Sequence, residues 1–296
     1  GELVKEIVYS EEDLKEPILL DDFERYYLSF CLEAKGEGEL KIGALHKRYS
    51  HGPFGEMTVG AQTLRDSKRQ EIFAYFHPGD MKPPLNIYFS GYRPAEGFEG
   101  FVMMRRMGSP FILFSDPRLE GGSFYMGSQE LEDQIVAYID QHLDWLGFGP
   151  KEMNFSGLSM GTFGALYYGA SYSPHAILVG KPIINLGDVA ANLKFKRPDE
   201  FGTSLDMMQL LVGQVSREGI DLLNQRFWNR FNQADLKDTI LAMAYMRDDD
   251  YDQLAYPKIL EALYDHPVRI ISSSRPGRHN DASAPIVEWF LTQYKE

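Results

Sequence analysis

Short apolar runs and helical patterns alternate along most of this chain. From residue 85 onward, six short apolar runs are typical of buried strands, and residues 129–146 repeat apolar side chains at helical spacing. A last helix is expected at about residues 284–294. Strands that alternate with helices indicate a parallel sheet of the α/β class. The predicted strands are residues 85–89, 111–116, 153–155, 176–180, 240–245 and 268–271.

The first part of the chain has a different pattern. Two runs alternate between apolar and polar positions on either side of a glycine-containing turn, and a third β-like run follows them. Prolines and glycines then interrupt the chain. These features predict a small antiparallel β module over residues 1–78, followed by an α/β domain over residues 79–296. The three runs are residues 26–34, 39–46 and 71–76.

The segment 187–236 interrupts the alternation of strands and helices. It has helical patterns around residues 207–215 and 220–231. One interpretation is a helical cap insertion that covers a site at the edge of the sheet. The other is additional helical packing on the outside of the domain, and the pattern leaves both open.

The most informative motif is G-x-S-x-G, at Gly157, Ser159 and Gly161. An apolar run precedes it and small residues follow it at helical spacing, as in the nucleophile elbow of α/β-hydrolases. In such an elbow the serine occupies a strained strand-to-helix turn, and a side chain at either glycine would collide with its neighbours. The amino end of the next helix directs N–H groups at a developing oxyanion. Ser159 is therefore the predicted nucleophile of an α/β-hydrolase-like domain.

A serine nucleophile needs a base within hydrogen-bond reach, and in this fold the chain order is serine, acid, histidine. Of the seven histidines, four precede Ser159, and both His175 and His266 come just before a predicted strand. His279 follows the last predicted strand, where active-site residues of such sheets lie. His279 is therefore the predicted base.

The acid is predicted to follow the strand at residues 240–245. Aspartates occupy positions 248, 249, 250 and 252, and one of them must accept the second ring N–H of the histidine. Asp249 is the first choice, followed by Asp250 and then Asp248. A metal site is the minor alternative, because no histidine is near in sequence and the spacing differs from that of an EF-hand loop. We therefore predict no metal and no other cofactor.

The oxyanion hole is predicted to use two backbone N–H groups. One belongs to the residue after the nucleophile, Met160, and the other to the loop at residues 89–93. Gly91 is the preferred second donor, because glycine lets the backbone approach a substrate closely, and Tyr92 is the alternative. A simple turn without a role in the chemistry is the other interpretation of this loop.

Composition narrows the classes of function. The 296 residues carry a formal net charge of −13, which argues against non-specific binding to nucleic acid or to an anionic membrane. Cys31 is the single cysteine, so no intrachain disulfide forms, as is usual in a reducing compartment. No apolar run approaches the roughly 18 residues of a membrane span. Because residue 1 is glycine, we expect the chain to be part of a longer protein.

Three segments together resemble one protein family. They are the run at residues 84–93, the elbow at residues 157–165 and the loop that carries His279, and the segments 53–55 and 77–80 are also similar. The family is the serine-hydrolase-like subunit of the accessory Sec system of Gram-positive bacteria, the second of the accessory secretory proteins. The resemblance extends over nearly the whole chain and corresponds to the C-terminal portion of a longer family member.

The resemblance implies a cytoplasmic protein that supports export of a serine-rich-repeat glycoprotein adhesin. It implies association with other accessory Sec proteins and the accessory Sec motor, with membrane contact only through these partners. It further implies O-acetylation of N-acetylglucosamine on the adhesin, with the catalytic residues at Ser159, Asp249 and His279. The acid is the weakest match, since relatives have either Asp or Glu there.

Three functions are consistent with these features. The first is an O-acetyltransferase in which Ser159 takes the acyl group and His279 activates a sugar hydroxyl. The second is a carbohydrate esterase or deacetylase with the same residues, and the third is a non-catalytic, hydrolase-like scaffold of the export complex. Transfer and hydrolysis differ only in which acceptor reaches the acyl-enzyme, so the sequence leaves all three open.

Overall fold

The computed structural model describes residues 3–15, 18–20, 27–40, 59–93, 96–119, 122–196 and 204–294. The chain divides into two compact units, Gly1–Val59 and Gly60–Glu296. In the described part of the first unit, regular structure is limited to a short 3-10 helix at Asp13–Lys15. Residues 27–40 form no strand, so the strand predicted at residues 26–34 is wrong where it is described. Residues 41–46 of the second predicted strand lie outside the described residues.

The second unit is built on one eight-stranded sheet. Its strands are β1 (Ala61–Arg65), β2 (Glu71–His77), β3 (Leu85–Phe89), β4 (Phe111–Ser115), β5 (Met153–Leu158), β6 (Ala176–Gly180), β7 (Ile240–Met246) and β8 (Arg269–Arg275). Their order in the sheet is β1-β2-β4-β3-β5-β6-β7-β8. Strand β2 runs antiparallel to both β1 and β4, and strands β3 to β8 are mutually parallel. The predicted parallel α/β sheet is confirmed.

The boundary of the sheet domain differs from the prediction. Strand β2, which we assigned to a separate β module, pairs with β4, and strand β1, which the pattern did not reveal, pairs with β2. The sheet-containing unit therefore begins at Gly60 rather than at residue 79. Alternating apolar and polar positions identify an antiparallel strand but do not say which sheet the strand joins. The prediction of a β module for the remaining early residues stays a prediction.

Helices cover both faces of the sheet. They are α1 (Phe101–Met107), α2 (Gln129–Leu146), α3 (Met160–Gly169), α4 (Leu186–Lys196), α5 (Ser204–Val212), α6 (Arg217–Phe231), α7 (Ala255–Ala262) and α8 (Ser283–Gln293). The α2 bounds match the prediction, since Ser128 caps its amino end and Gly147 adopts the left-handed conformation that ends it. Within the described ranges, no helix combines the length and apolar character needed to cross a membrane.

Two apolar layers enclose the sheet. In β3, Ile87 and Phe89 pack into the layer that contains residues of α2 and α3, whereas Tyr88 packs into the layer that contains Phe290 of α8. Successive side chains of a strand point to opposite faces, so a strand buried on both faces is apolar throughout. This explains why β4 is apolar from Phe111 to Phe114, and why β3 does not alternate and has Asn86 as its one polar residue.

The described residues of the predicted insertion, 187–196 and 204–236, form three helices. Helix α4 packs against α5 and α6, and α6 also packs against α3. Phe227 of α6 contacts Phe163 of α3, with 5.4 Å between ring centroids. These contacts place α6 on the α3 side of the sheet. Cover of the Ser159 site by this segment stays a prediction.

Candidate active site

Ser159 occupies the tight turn between β5 and α3, at the carboxyl edge of the parallel strands. Its φ and ψ angles are 51° and −119°, a conformation that residues other than glycine rarely adopt. A Cβ atom at Gly157 would lie 2.3 Å from Gly161 O, and one at Gly161 would lie 2.0 Å from Phe89 O. The need for glycine at both positions of the motif, which we predicted from the sequence, is therefore confirmed.

Hydrogen bonds to the backbone hold this strained turn. Ser159 N donates to Gly180 O at the end of β6 over 2.8 Å. The Thr162 hydroxyl donates to Ser159 O over 2.5 Å and accepts from Ile183 N over 3.0 Å. The turn is thus tied to β6 on one side and to the loop after β6 on the other, which explains how an unfavourable φ persists.

The structure brings together the three residues predicted for the catalytic chemistry. Ser159 Oγ lies 2.8 Å from His279 Nε2, and His279 Nδ1 lies 2.8 Å from Asp249 Oδ2. His279 is 1% exposed and Asp249 is 6% exposed, whereas Ser159 is half-buried. With Nδ1–H donated to the carboxylate, Nε2 carries a lone pair that can accept the Ser159 hydroxyl proton.

The Asp249 carboxylate is held on both oxygens. Oδ1 accepts from Tyr251 N over 2.8 Å and from Asp252 N over 3.2 Å, which leaves Oδ2 for His279. The Tyr251 ring also packs on the imidazole, with 4.4 Å between the ring centroids. Sequence reasoning missed Tyr251, because nothing in the local pattern shows that its ring meets a histidine far along the chain.

The neighbouring aspartates have other partners. Asp250 Oδ1 accepts from His279 N over 3.0 Å, and its Oδ2 pairs with the Arg278 guanidinium. Burial acts to raise the pKa of Asp250, but the hydrogen bonds from Arg278 and His279 N outweigh burial and hold that pKa below its ordinary value. Asp248 Oδ2 accepts from Gly277 N over 3.2 Å. Of the three predicted candidates, Asp249 is thus the one whose carboxylate meets the imidazole.

Asp252 joins two loops at the same edge of the sheet. Its Oδ2 accepts from Ile184 N over 2.8 Å and from Asn185 N over 2.7 Å, so it ties the loop after β7 to the loop after β6. Burial raises the pKa of Asp252, although these hydrogen bonds act to lower it.

A buried lysine also lies near the site. Lys181 directly follows β6, and its Nζ donates to Ser283 Oγ over 3.0 Å. Burial lowers the pKa of Lys181, while the charges of Asp249 and Glu99 act to raise it. Sequence reasoning missed this residue as well, because a single lysine after a strand is ordinarily exposed.

The predicted oxyanion donors differ in availability. Met160 is the first residue of α3, so its N–H has no partner within the helix. Gly91 N, in contrast, donates to Glu99 Oε2 over 2.6 Å. This pairing counts against the preference for Gly91 over Tyr92, since a carboxylate already accepts the Gly91 N–H, and the second donor stays a prediction. Tyr92 N makes no hydrogen bond to any other described residue.

Comparison with known proteins identifies relatives over the whole chain. The family model described as "Accessory Sec system GspB-transporter" matches residues 1–296. A curated accessory Sec system protein of Staphylococcus aureus is 48% identical over 99% of this chain and 56% of its own length. The Streptococcus gordonii counterpart is 47% identical over 100% of this chain and 58% of its own. The chain thus spans little more than half the length of these relatives.

Solved structures extend the comparison to the fold. The Glycosylation Associate Protein (Gap123) complex from Streptococcus agalactiae has a chain with a TM-score of 0.78 and 46% identity, covering 80% of this chain and 46% of that one. The capsule O-acetyltransferase of Neisseria meningitidis serogroup A has a TM-score of 0.61 and 20% identity over 79% of this chain and 98% of its own. An acylaminoacyl peptidase of Pyrococcus horikoshii has a TM-score of 0.54 and 12% identity over 79% of this chain and 39% of its own. At these identities the last two share the fold alone.

Proposed function

Because this chain belongs to the accessory Sec system GspB-transporter family, we propose that it is a serine-dependent O-acetyltransferase acting on an exported glycoprotein. Its substrate is the glycan of a serine-rich-repeat adhesin, with N-acetylglucosamine as the acceptor sugar. The observation that carries the proposal is the hydrogen-bonded chain Asp249–His279–Ser159 at the carboxyl edge of an α/β-hydrolase-like sheet.

The proposed chemistry has two halves. Ser159 Oγ attacks the acyl carbonyl of the donor while His279 Nε2 takes the hydroxyl proton, and the tetrahedral intermediate collapses as His279 returns the proton to the leaving group. His279 then takes the proton of a sugar hydroxyl, whose oxygen attacks the acyl-enzyme. The second tetrahedral intermediate collapses by breaking its bond to Ser159 Oγ, and His279 returns the proton to that oxygen. Asp249 stabilises the imidazolium in both halves, and Met160 N is one of the donors to the oxyanion.

Transfer and hydrolysis use the same residues, and the fold accommodates both. The capsule O-acetyltransferase of N. meningitidis and the acylaminoacyl peptidase of P. horikoshii share this architecture. We favour transfer, with helices α4 to α6 acting as a cap that limits access of water to the acyl-enzyme. A carbohydrate esterase with the same residues is the second candidate.

The proposed setting is the cytoplasmic side of the export pathway. The S. agalactiae relative was solved in a complex of glycosylation-associated proteins, which supports binding of this protein to other accessory Sec components. We extend this to the accessory Sec motor and to the glycosylated adhesin, with membrane contact only through these partners. Export support and acetylation would then be two separable tasks, because only acetylation needs a nucleophile.

The decisive experiment compares two serine variants in the intact protein. Ser159→Ala removes the proposed nucleophile, and Ser171→Ala changes an exposed serine of the same domain. We expect a fluorophosphonate probe to label the wild type and Ser171→Ala but not Ser159→Ala. Glycan mass spectrometry should show an adhesin that Ser159→Ala cells still secrete but without O-acetyl groups.

Two results would contradict this proposal in different ways. Unchanged glycan acetylation in the Ser159→Ala strain would exclude the serine mechanism and favour a scaffold. Loss of both secretion and acetylation, with the variant stable and still bound to its partners, would show that the two tasks are coupled.

A further inference from the structure

The loop that follows β3 is clamped at Ser90. Its N–H donates to Phe114 O over 2.9 Å, and its carbonyl oxygen accepts from the Tyr125 hydroxyl over 2.6 Å. The Ser90 hydroxyl oxygen accepts from Glu99 N over 3.0 Å. Ser90 is fully buried, so these contacts determine the direction in which the chain leaves the sheet.

Glu99 holds the next residue of the loop. Its Oε2 atom accepts from both Gly91 N, over 2.6 Å, and the Tyr88 hydroxyl, over 3.0 Å. Glu99 therefore contacts residues 88, 90 and 91 from a position just before α1. The buried Lys181 ammonium interacts electrostatically with the same carboxylate.

The clamped residues pass directly beside the nucleophile. A Cβ atom at Gly91 would lie 3.1 Å from Leu158 O, the carbonyl just before Ser159. A Cβ atom at Gly161 would lie 2.0 Å from Phe89 O and 3.2 Å from the carbonyl carbon of Ser90. The backbone at residues 89–91 thus contacts the chain on both sides of Ser159. Tyr92 N is the next donor along the loop, and no other described residue accepts its hydrogen.

We propose that Glu99 is a positioning residue for the oxyanion hole. By accepting the Gly91 N–H, it withdraws that donor and sets the course of the loop so that Tyr92 N, together with Met160 N, faces the oxyanion. The inference rests on the proposed acyl-transfer function of Ser159 and deepens it by assigning the second donor and the side chain that places it.

The geometry predicts an order of effects among three substitutions. In Glu99→Gln, the amide oxygen can accept from both Gly91 N and Tyr88 as Oε2 does, so kcat should stay within about threefold of the wild type. Glu99→Asp keeps the charge but is one methylene too short to reach Gly91 N, and Glu99→Ala has no acceptor. Both should lose on the order of 10²-fold in kcat, the effect of one oxyanion donor, with little change in KM.

The test measures turnover of 4-nitrophenyl acetate by the intact wild type, Ser159→Ala and the three Glu99 variants, with thermal unfolding as a check on folding. The assignment is supported if Glu99→Gln retains the wild-type kcat and Glu99→Asp has a lower kcat. This comparison tests the assignment even if Glu99→Ala does not fold. Wild-type kcat in Glu99→Asp, a large loss in Glu99→Gln, or a change confined to KM would overturn it. If Ser159→Ala turned over 4-nitrophenyl acetate as fast as the wild type, the proposed function would be overturned as well. Failure of the proposed function is therefore distinguishable from failure of the Glu99 assignment alone.

Discussion

Two buried carboxylates of this domain have opposite surroundings. Asp249 is held by two backbone N–H groups and by the imidazole of His279. Glu132, on α2, is 2% exposed and lies between two guanidinium groups, those of Arg226 and Arg230 on α6. Its Oε2 also accepts from the Tyr167 hydroxyl of α3 over 2.9 Å.

The difference separates a group suited to catalysis from one that joins helices. A carboxylate paired with two permanent cations gains little from a further positive charge. Asp249 is instead oriented by neutral donors towards a ring that becomes charged only in the proposed reaction. The Glu132 cluster instead links α2, α3 and α6, and replacing Glu132 leaves two partly buried guanidinium groups without their counter-charge. Substitution of Asp249 should therefore lower turnover, whereas substitution of Glu132 should lower the stability of the fold.

The largest expected effect is at the serine and histidine themselves. Ser159→Ala and His279→Ala should each lower kcat/KM for an aryl acetate on the order of 10³-fold or more, because the nucleophile or its base is lost. The double variant should be little worse than either single one, since the two residues act as a unit. Losses that multiply in the double variant would show that His279 is not the partner of Ser159.

Asp249→Asn tests the catalytic side of the comparison. With the amide oxygen of the introduced side chain retained by Tyr251 N and Asp252 N, its NH2 group would face His279 Nδ1 as a donor. This favours the tautomer with the proton on Nε2, which cannot accept the Ser159 hydroxyl proton, so kcat should fall about 10²- to 10⁴-fold with little loss of thermal stability. Asp248→Asn is the matched control, since its carboxylate meets Gly277 N and not the imidazole, and it should stay within about threefold of the wild type. Equal losses in both variants would contradict the selection of Asp249.

Glu132→Gln tests the structural side. Removing the negative charge leaves two guanidinium groups, which are 27% and 25% exposed, without their counter-charge. Because water partly solvates them, the free energy of unfolding should fall by less than for a fully buried pair, by about 1–3 kcal/mol. At 25 °C, kcat for an aryl acetate should change by less than about threefold. Denaturant unfolding measures the loss, with the neighbouring exposed Glu130→Gln as a control. A large fall in kcat without destabilisation would show that the Glu132 cluster acts in the chemistry.

The smallest expected effect is the pH dependence of the Asp250–Arg278 pair. The pKa of Asp250 is lowered in the folded state, so its charge stabilises the fold above the ordinary aspartate pKa of about 3.9 and the contribution is lost as pH falls through the folded value. Asp250→Asn should therefore have a slightly lower Tm than the wild type at pH 7, because Arg278 is largely exposed. That difference should shrink below pH 4, and a difference that grows in acid would contradict the assignment.

The sequence alone predicted most of what depends on contiguous residues. Helical spacing located α2, apolar runs located the six parallel strands, and G-x-S-x-G located the turn at Ser159. The order of the chain indicated His279. These features follow from local periodicity and from the space around a single turn, so the neighbouring residues carry the information.

The tertiary structure decided which distant groups meet. The parallel register of β7 and β8 pairs Met246 with Arg275, and this places the loops after the two strands side by side. In this arrangement Asp249, the first choice from the sequence, is the aspartate whose carboxylate meets the imidazole. Strand β2 joined the main sheet because strand pairing depends on the register and direction of separate segments, which no local pattern records. The bond from Gly91 N to Glu99 depends on the path of the loop between them, which the sequence pattern does not specify either.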